Sequence, residues 1–247
     1  MSSDVLIVFV RYPRVGKVKT RMTKSEFSPS PLNIEQASIL YYSFLKDLIL
    51  RFQTAVYCAE GNFDLLVMLG GALPEEKEPF EKQFSLNPQQ VELLPFGVED
   101  LGKLMEQSFR DCAQKGYKKM VLIGSDVPQL KMEQIHQAFV HLDDVSMVIG
   151  PDNGGGMYLV GCSQPLGLME EGIVWGQGID REEVLKRCDE QSTTYQLLSE
   201  EIDMDTSEDL AFWYDGLHQF PGELESQKKD CPNTMLFLQQ LFYDLRK

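Results

Sequence analysis

Six basic residues crowd the first 24 positions of a 247-residue chain: Arg11, Arg14, Lys17, Lys19, Arg21 and Lys24, with only Asp4 against them. Most lie in one segment, Arg11-Tyr-Pro-Arg-Val-Gly-Lys-Val-Lys-Thr-Arg21. Cations clustered in this way supply charge-assisted donors to phosphate oxygens. A hard divalent cation such as Mg²⁺ commonly joins such a site, held by one or two carboxylates together with the phosphates. Two acidic segments offer those carboxylates. Gly124-Ser-Asp-Val-Pro128 carries Asp126, and Asp203-Met-Asp-Thr-Ser-Glu-Asp209 carries Asp203 and Asp205 just ahead of a helix start. Lys17, Lys19 and Arg21 would then face the phosphates and Asp126 the metal. Asp126 before a Val-Pro turn also fits an Asx-turn, and Asp209 fits a helix cap. A third segment, Gly150-Pro-Asp-Asn-Gly-Gly-Gly156, is rich enough in glycine to let backbone approach a ligand closely, or simply to turn.

Composition narrows the partner. The chain holds 23 Lys and Arg against 38 Asp and Glu, a net charge of −15, which divides into +5 over the first 24 residues and −20 over the rest. That field opposes nucleic acid and anionic membrane, and it concentrates anion binding in the basic segment. No apolar run approaches the ~20 residues needed to span a bilayer, so a soluble, cytoplasmic protein is expected. Cys58, Cys112, Cys162, Cys188 and Cys231 are odd in number and scattered, and His136, His141 and His218 form no ligand spacing. Gly16-Lys17 is not a P-loop, because Arg11 stands where the first glycine belongs and Val18 where Ser or Thr would bind magnesium. No Gly-x-Gly-x-x-Gly follows the first apolar run, which argues against a nicotinamide dehydrogenase.

The elements that must position these residues read as an α/β chain of 43% hydrophobic composition. Asp4 to Val10 is a continuous apolar run suited to a strand buried on both faces. A long polar loop reaches about Pro31, and Asn33 then caps a helix running to near Gly61. Strands are expected at 63–69, 91–95, 119–123, 145–149, 157–160 and 193–198. Helices are expected at 74–84, 100–115, 131–142, 181–188 and 207–217. Residues 221–232 read as a polar linker before a final helix over 234–246, so 1–217 is expected to form one domain, nucleotide-binding by the resemblance set out below, and 218–247 an appendage packed on it. Open α/β sheets bind ligands beyond the carboxyl ends of their strands, where strand order reverses. If the 119–123 strand lies beside the first, the basic loop and Asp126 face each other across one crevice.

The ordered combination of Phe9-Val-Arg-Tyr-Pro-Arg-Val-Gly-Lys-Val-Lys-Thr-Arg-Met22, Asp100-Leu-Gly102, Gly124-Ser-Asp-Val-Pro128, Gly150-Pro151, Tyr158-Leu-Val-Gly161, Trp175-Gly176 and Asp203-Met-Asp-Thr-Ser-Glu-Asp-Leu210 resembles a family of uncharacterised and arsenosugar-associated glycosyltransferases. These are related in turn to molybdenum-cofactor and phospholactate guanylyltransferases. The resemblance covers about residues 4–212. It implies the GT-A, or nucleotide-diphospho-sugar transferase, fold, with a Rossmann-like, mostly parallel sheet and helices on both faces. It assigns Arg11, Lys17, Lys19 and Arg21 to the nucleotide and its phosphates, and Asp126 with Asp205 to Mg²⁺ or Mn²⁺. Asn153, Gly155, Gly156 and Trp175 fall on the sugar or acceptor side. One departure stands out: the family's Gly-Pro-x-x-Asp-Gly-Gly-Tyr reads here with Gly154 for the Asp and Met157 for the Tyr. Asp152 is the remaining carboxylate for acceptor activation. The expected activity is metal-dependent glycosyl transfer from a nucleotide sugar to a small acceptor. The alternatives are nucleotidyl transfer from an NTP to a phosphorylated small molecule, and a nucleotide-sugar-binding protein without turnover.

Overall fold

The structure, a computed structural model, describes residues 2–24, 32–58, 61–95, 100–170, 172–219 and 221–244. Seven strands form one sheet in the order β3-β2-β1-β4-β6-β5-β7. They are β1 Asp4–Arg11, β2 Asp64–Gly70, β3 Val91–Leu93, β4 Lys119–Ile123, β5 Met147–Pro151, β6 Met157–Cys162 and β7 Tyr195–Leu197. The pairs β1·β2, β1·β4, β2·β3 and β5·β7 are parallel, and only β6 runs against its neighbours. Strand order therefore reverses at β1, with β2 on one side and β4 on the other, and the crevice at that point is where the basic loop and Asp126 emerge.

Alternation along the buried strands sends side chains to two apolar layers. Leu6, Val8, Val10, Val67, Val121 and Ile123 face a large cluster built with α1 (Ile34–Tyr57), α2 (Pro74–Phe84) and α4 (Met132–His141). Val5, Ile7, Met68, Met120, Leu122 and Val160 face a second cluster built with α3 (Leu101–Gln114) and α5 (Asp180–Glu190). The helices thus cover both faces, as expected. The Asn33 side chain accepts from the backbone of Glu35 and Gln36 while Gln36 reaches back to Asn33, a closed capping box that fixes where α1 begins.

One part of the sequence reading changes. The 221–232 segment is not a linker: α6 (Ser207–Gln219) is followed directly by α7 (Pro221–Asp230) and α8 (Pro232–Asp244). Pro221 and Pro232 are the first residues of these helices, where the missing N–H costs nothing, so the prolines start helices here instead of breaking them. Residues 25–31, the end of the expected loop, and the His218 side chain lie outside the described residues. β5 and β6, the two strands expected on either side of the glycine-rich turn, pair antiparallel and so place β6 between β4 and β5. α8 packs on α1, and its N-terminus is capped from there: buried Asp47 accepts from Asn233 N, Asn233 Nδ2 and Thr234 N at 3.0, 2.7 and 2.8 Å. All five cysteines are free, and four are buried.

Candidate functional site

A cavity of about 720 Å³ opens at the carboxyl ends of β1, β2 and β4. Arg11, Lys17, Lys19 and Arg21 line one wall, Ser125, Asp126 and Asp205 another, and Gly70, Gly71, Leu94, Pro95, Leu101 and Leu104 a third, largely apolar one. Such a mixture suits a ligand with a charged half and a flat, weakly polar half. Tyr41 on α1 ties the first two walls together. Its hydroxyl accepts from Arg11 N at 2.9 Å and shares a hydrogen bond with Ser125 Oγ at 2.9 Å. The sequence shows Tyr41 only as one position in an apolar helical stripe. Its polar role could not be read without knowing that β4 lies beside β1.

The basic residues divide in two. Arg11, Lys17 and Arg21 are exposed, and the Arg11 and Lys17 side chains line the cavity with no ion pair among the described residues. Lys19 is different: its side chain is 3% exposed, and Nζ lies 2.8 Å from Asp126 Oδ2, 3.0 Å from Asp205 Oδ1 and 2.7 Å from Met204 O. To reach this position its backbone takes the left-handed conformation, φ 49 and ψ 36, which costs a non-glycine residue about 1 kcal/mol or more. Arg21 Nη1 meets Asp205 Oδ2 at 3.1 Å. The loop after β1, the loop after β4 and the approach to α6 are thereby joined by charge, with Met204 N also donating to Asp126 O at 2.9 Å.

Asp203 completes the acidic group: one carboxylate oxygen from each of Asp126, Asp203 and Asp205 lies within 4.8 Å of the others. Three carboxylates against two cations leave one negative charge unbalanced. Burial, then Asp126, push the Asp203 carboxyl up to about 8, with Lys19 only partly opposing. Burial also acts to raise Asp205, but Lys19 and Arg21 outweigh it and hold this carboxyl below its ordinary range. Burial pulls the Lys19 ammonium down, yet Asp126, Asp205 and Asp203 together hold it above the usual lysine value. Clustered carboxylate oxygens are the donor set that Mg²⁺ or Mn²⁺ takes, and the Lys19 ammonium already shows that a cation is accommodated among them. The residues present fit such a metal.

The turn between β5 and β6 lies outside this cavity wall. Asp152 is 6% exposed, and its Oδ1 accepts from Gly154 N and Gly156 N at 2.8 Å each, so the carboxylate is anchored to its own turn. Burial raises the Asp152 carboxyl above its usual range despite those two donors. Asn153 accepts from Asp203 N at 3.1 Å through Oδ1, which docks the turn against the acidic segment. Gly155 has φ +84, and a Cβ there would overlap the Gly178 carbonyl oxygen, so this glycine is required by close backbone approach. Arg181 N donates to Gly155 O at 3.1 Å from the start of α5. Trp175 is not brought to the cavity wall: its ring joins the second apolar cluster, and its Nε1 lies where a Cβ on Gly102 would sit 2.8 Å away. The tryptophan thus packs against the first turn of α3, next to cavity-lining Leu101 and Leu104.

A further group sequence reasoning missed supports the acidic segment from behind. Gln129 Nε2 donates to Ile202 O at 2.8 Å and to Glu201 at 3.3 Å, and Gln134 donates to the same carboxylate. The amides that hold Ile202 and Glu201 therefore come from the loop and helix that follow Asp126.

Among solved structures, the chain is similar to a putative nucleotide-diphospho-sugar transferase from Desulfovibrio desulfuricans G20, at 24% identity and a TM-score of 0.84 over 100% of this chain and 98% of that one. It is also similar to a 4-diphosphocytidyl-2C-methyl-D-erythritol synthase from Anaerococcus prevotii DSM 20548, at 11% identity and a TM-score of 0.50 over 87% and 98%. These likenesses establish the nucleotide-diphospho-sugar transferase fold expected from the sequence. No curated protein matches the chain. In the described residues no helix is long and apolar enough to cross a membrane. A family model described as "Uncharacterized protein conserved in bacteria (DUF2064)" matches residues 54–177, from the end of α1 to just beyond Trp175, and the chain belongs to that family.

Proposed function

We propose that the protein is a metal-dependent transferase that acts on an activated nucleotide, moving a glycosyl group from a nucleotide-diphosphate sugar to a small acceptor. The observation that carries this reading is that Lys17, Lys19 and Arg21 line one cavity at the strand-order reversal together with Asp126 and Asp205, Lys19 in contact with both carboxylates and Arg21 with Asp205, and an apolar wall alongside. The apolar wall of Leu94, Pro95, Leu101 and Leu104 suits the nucleoside, and Arg11 and Lys17 stand free to meet phosphate oxygens. Asp126 and Asp205 would hold Mg²⁺ or Mn²⁺, which supplies charge neutralisation on the departing diphosphate. Arg21, kept in place by Asp205, orients the phosphates from the rim. Asp152 serves as the anchor of the β5–β6 turn, and Asn153 with Gly155 and Gly156 forms the acceptor-side floor. Trp175, by packing against the start of α3, supports the nucleoside wall at Leu101 and Leu104 from behind.

The neighbouring structures are named as a 4-diphosphocytidyl-2C-methyl-D-erythritol synthase and as a nucleotide-diphospho-sugar transferase, two kinds of nucleotide chemistry. The chemistry released separates the two reactions. Incubated with Mn²⁺, a panel of nucleotide sugars and a panel of small hydroxyl-bearing acceptors, the protein is expected to release nucleoside diphosphate as the glycosyl group passes to the acceptor oxygen, or more slowly to water where no acceptor fits. Pyrophosphate released from an NTP in the presence of sugar phosphates would replace glycosyl by nucleotidyl transfer. Release of neither, while nucleotide sugar still binds, would leave a binding protein and overturn the transferase reading.

A further inference from the structure

Lys19 uses its whole hydrogen-bonding capacity inside the acidic group. An ammonium has three donors, and three oxygens surround this one: Asp126 Oδ2, Asp205 Oδ1 and Met204 O. The Phe44 ring closes its far side, 5.7 Å from Nζ. No donor is left for a phosphate, although the loop it belongs to forms the phosphate side of the cavity. Asp126 and Asp205, whose oxygens Lys19 holds, are also the carboxylates a divalent cation would take. An ammonium and a divalent ion sharing one carboxylate pair repel each other strongly at such separations.

We infer that Lys19 is an exchange residue: it stands in for the metal among Asp126 and Asp205, and passes to the diphosphate oxygens when metal and nucleotide enter together. The inference rests on the proposed nucleotide-transferase reading. Lys19 thereby couples the two ligands, because the metal gains its carboxylates only as the lysine gains an anionic partner elsewhere. Arg21 keeps its own contact to Asp205 Oδ2 and so steadies that carboxylate through the exchange. A fixed structural pin would have a different signature, since removing it would cost stability without changing how the carboxylates take up metal.

The test is a Mn²⁺ titration followed by loss of the free-ion electron paramagnetic resonance signal. It uses the full chain as wild type, Lys19→Met, Lys19→Gln and Lys24→Met, each with and without UDP or GDP and read as the signal lost beyond that lost to the same nucleotide without protein. Without nucleotide, both Lys19 variants are expected to bind Mn²⁺ at least about tenfold more tightly than wild type. Lys24→Met removes the same charge from an exposed position of the same segment and should change affinity less than about threefold, as screening dictates. A misfolded variant cannot produce that gain, and the two Lys19 substitutions give independent chances of a folded protein. Lys19 variants that bind nucleotide-free Mn²⁺ no more tightly than wild type overturn the exchange. If they gain Mn²⁺ affinity but neither nucleotide affects any of the proteins, the exchange at the carboxylates stands and the nucleotide reading falls. If nucleotide raises Mn²⁺ affinity equally in wild type and variants, with no gain in its absence, the nucleotide reading stands and the exchange is refuted.

Discussion

Asp152 separates two accounts of the β5–β6 turn, and paired substitutions distinguish them. Its Oδ1 accepts two backbone N–H groups at 2.8 Å while the residue is 6% exposed. A hydrogen bond to a charged group contributes about 1.5 to 3 kcal/mol, and a buried donor left without a partner costs about 1 to 3 kcal/mol. Gly154 is exposed and Gly156 half-buried, so water restores part of the loss when the side chain is removed. Asp152→Ala should therefore destabilise the protein by about 2 to 4 kcal/mol. Asp152→Asn keeps a carbonyl oxygen for both donors and relieves the cost of a buried charge near Asp203, so it should cost no more than about 1 kcal/mol. The assay is urea unfolding of each variant alongside turnover of nucleotide sugar. An anchoring role predicts that Asp152→Asn keeps kcat within about tenfold of wild type, whereas loss of a general base lowers it about 10²- to 10⁴-fold. An Asp152→Asn protein with wild-type stability and a hundredfold loss of kcat would refute the anchoring argument.

Other consequences follow from single contacts. Asp203, held up to about 8 in the folded protein, keeps its proton where the unfolded chain has already released it. Folded protein then binds more protons than unfolded between about pH 4 and 8, so stability falls as pH rises through that window, by up to about 1.4 kcal/mol per pH unit. In EDTA, wild type should lose thermal stability relative to Asp203→Asn from pH 5 to 8; a difference independent of pH would show that the carboxyl titrates normally. Asp47→Ala removes three hydrogen bonds from the start of α8 and should cost about 2 to 3 kcal/mol by urea unfolding, against no more than about 0.5 kcal/mol for an exposed change such as Glu190→Ala. Gly102→Ala sets a Cβ against the Met169 carbonyl oxygen and Trp175 Nε1, so it should destabilise by about 1 to 3 kcal/mol despite alanine's better helix propensity, with a change in tryptophan fluorescence reporting the displaced ring.

The fold was legible where one physical signal dominated. β1 and β4 are continuous apolar runs because both their faces are buried, and α1 announces its start through Asn33 and Gln36. α7 was not legible: Pro-Gly-Glu-Leu-Glu-Ser-Gln-Lys-Lys-Asp has no apolar stripe, and the same proline that can break a helix also suits its first position. The antiparallel insertion of β6 is a matter of long-range pairing, which strand composition does not encode. At the site, residue types pointed to a basic loop and to Asp126 and Asp205. What they could not show is that Lys19 turns inward to those carboxylates while Arg11 and Lys17 stay outward, since a left-handed residue in a loop leaves no pattern in sequence. Trp175 illustrates the reverse problem. The family resemblance puts Trp175 on the acceptor side, but its Nε1 and the Met169 carbonyl oxygen instead close over the face of α3 that Gly102 leaves bare.

The claim on which the account depends is that Asp126 holds a cation against a bound nucleotide diphosphate. Thermal unfolding of wild type and Asp126→Asn, with nucleotide sugars in the presence of Mn²⁺ or of EDTA, tests it most directly. The account predicts that at least one nucleotide sugar raises the wild-type midpoint with Mn²⁺, and that the increment shrinks in EDTA and is lost in Asp126→Asn. An equal Mn²⁺-dependent rise in Asp126→Asn, or no rise in wild type with any nucleotide sugar, would contradict it.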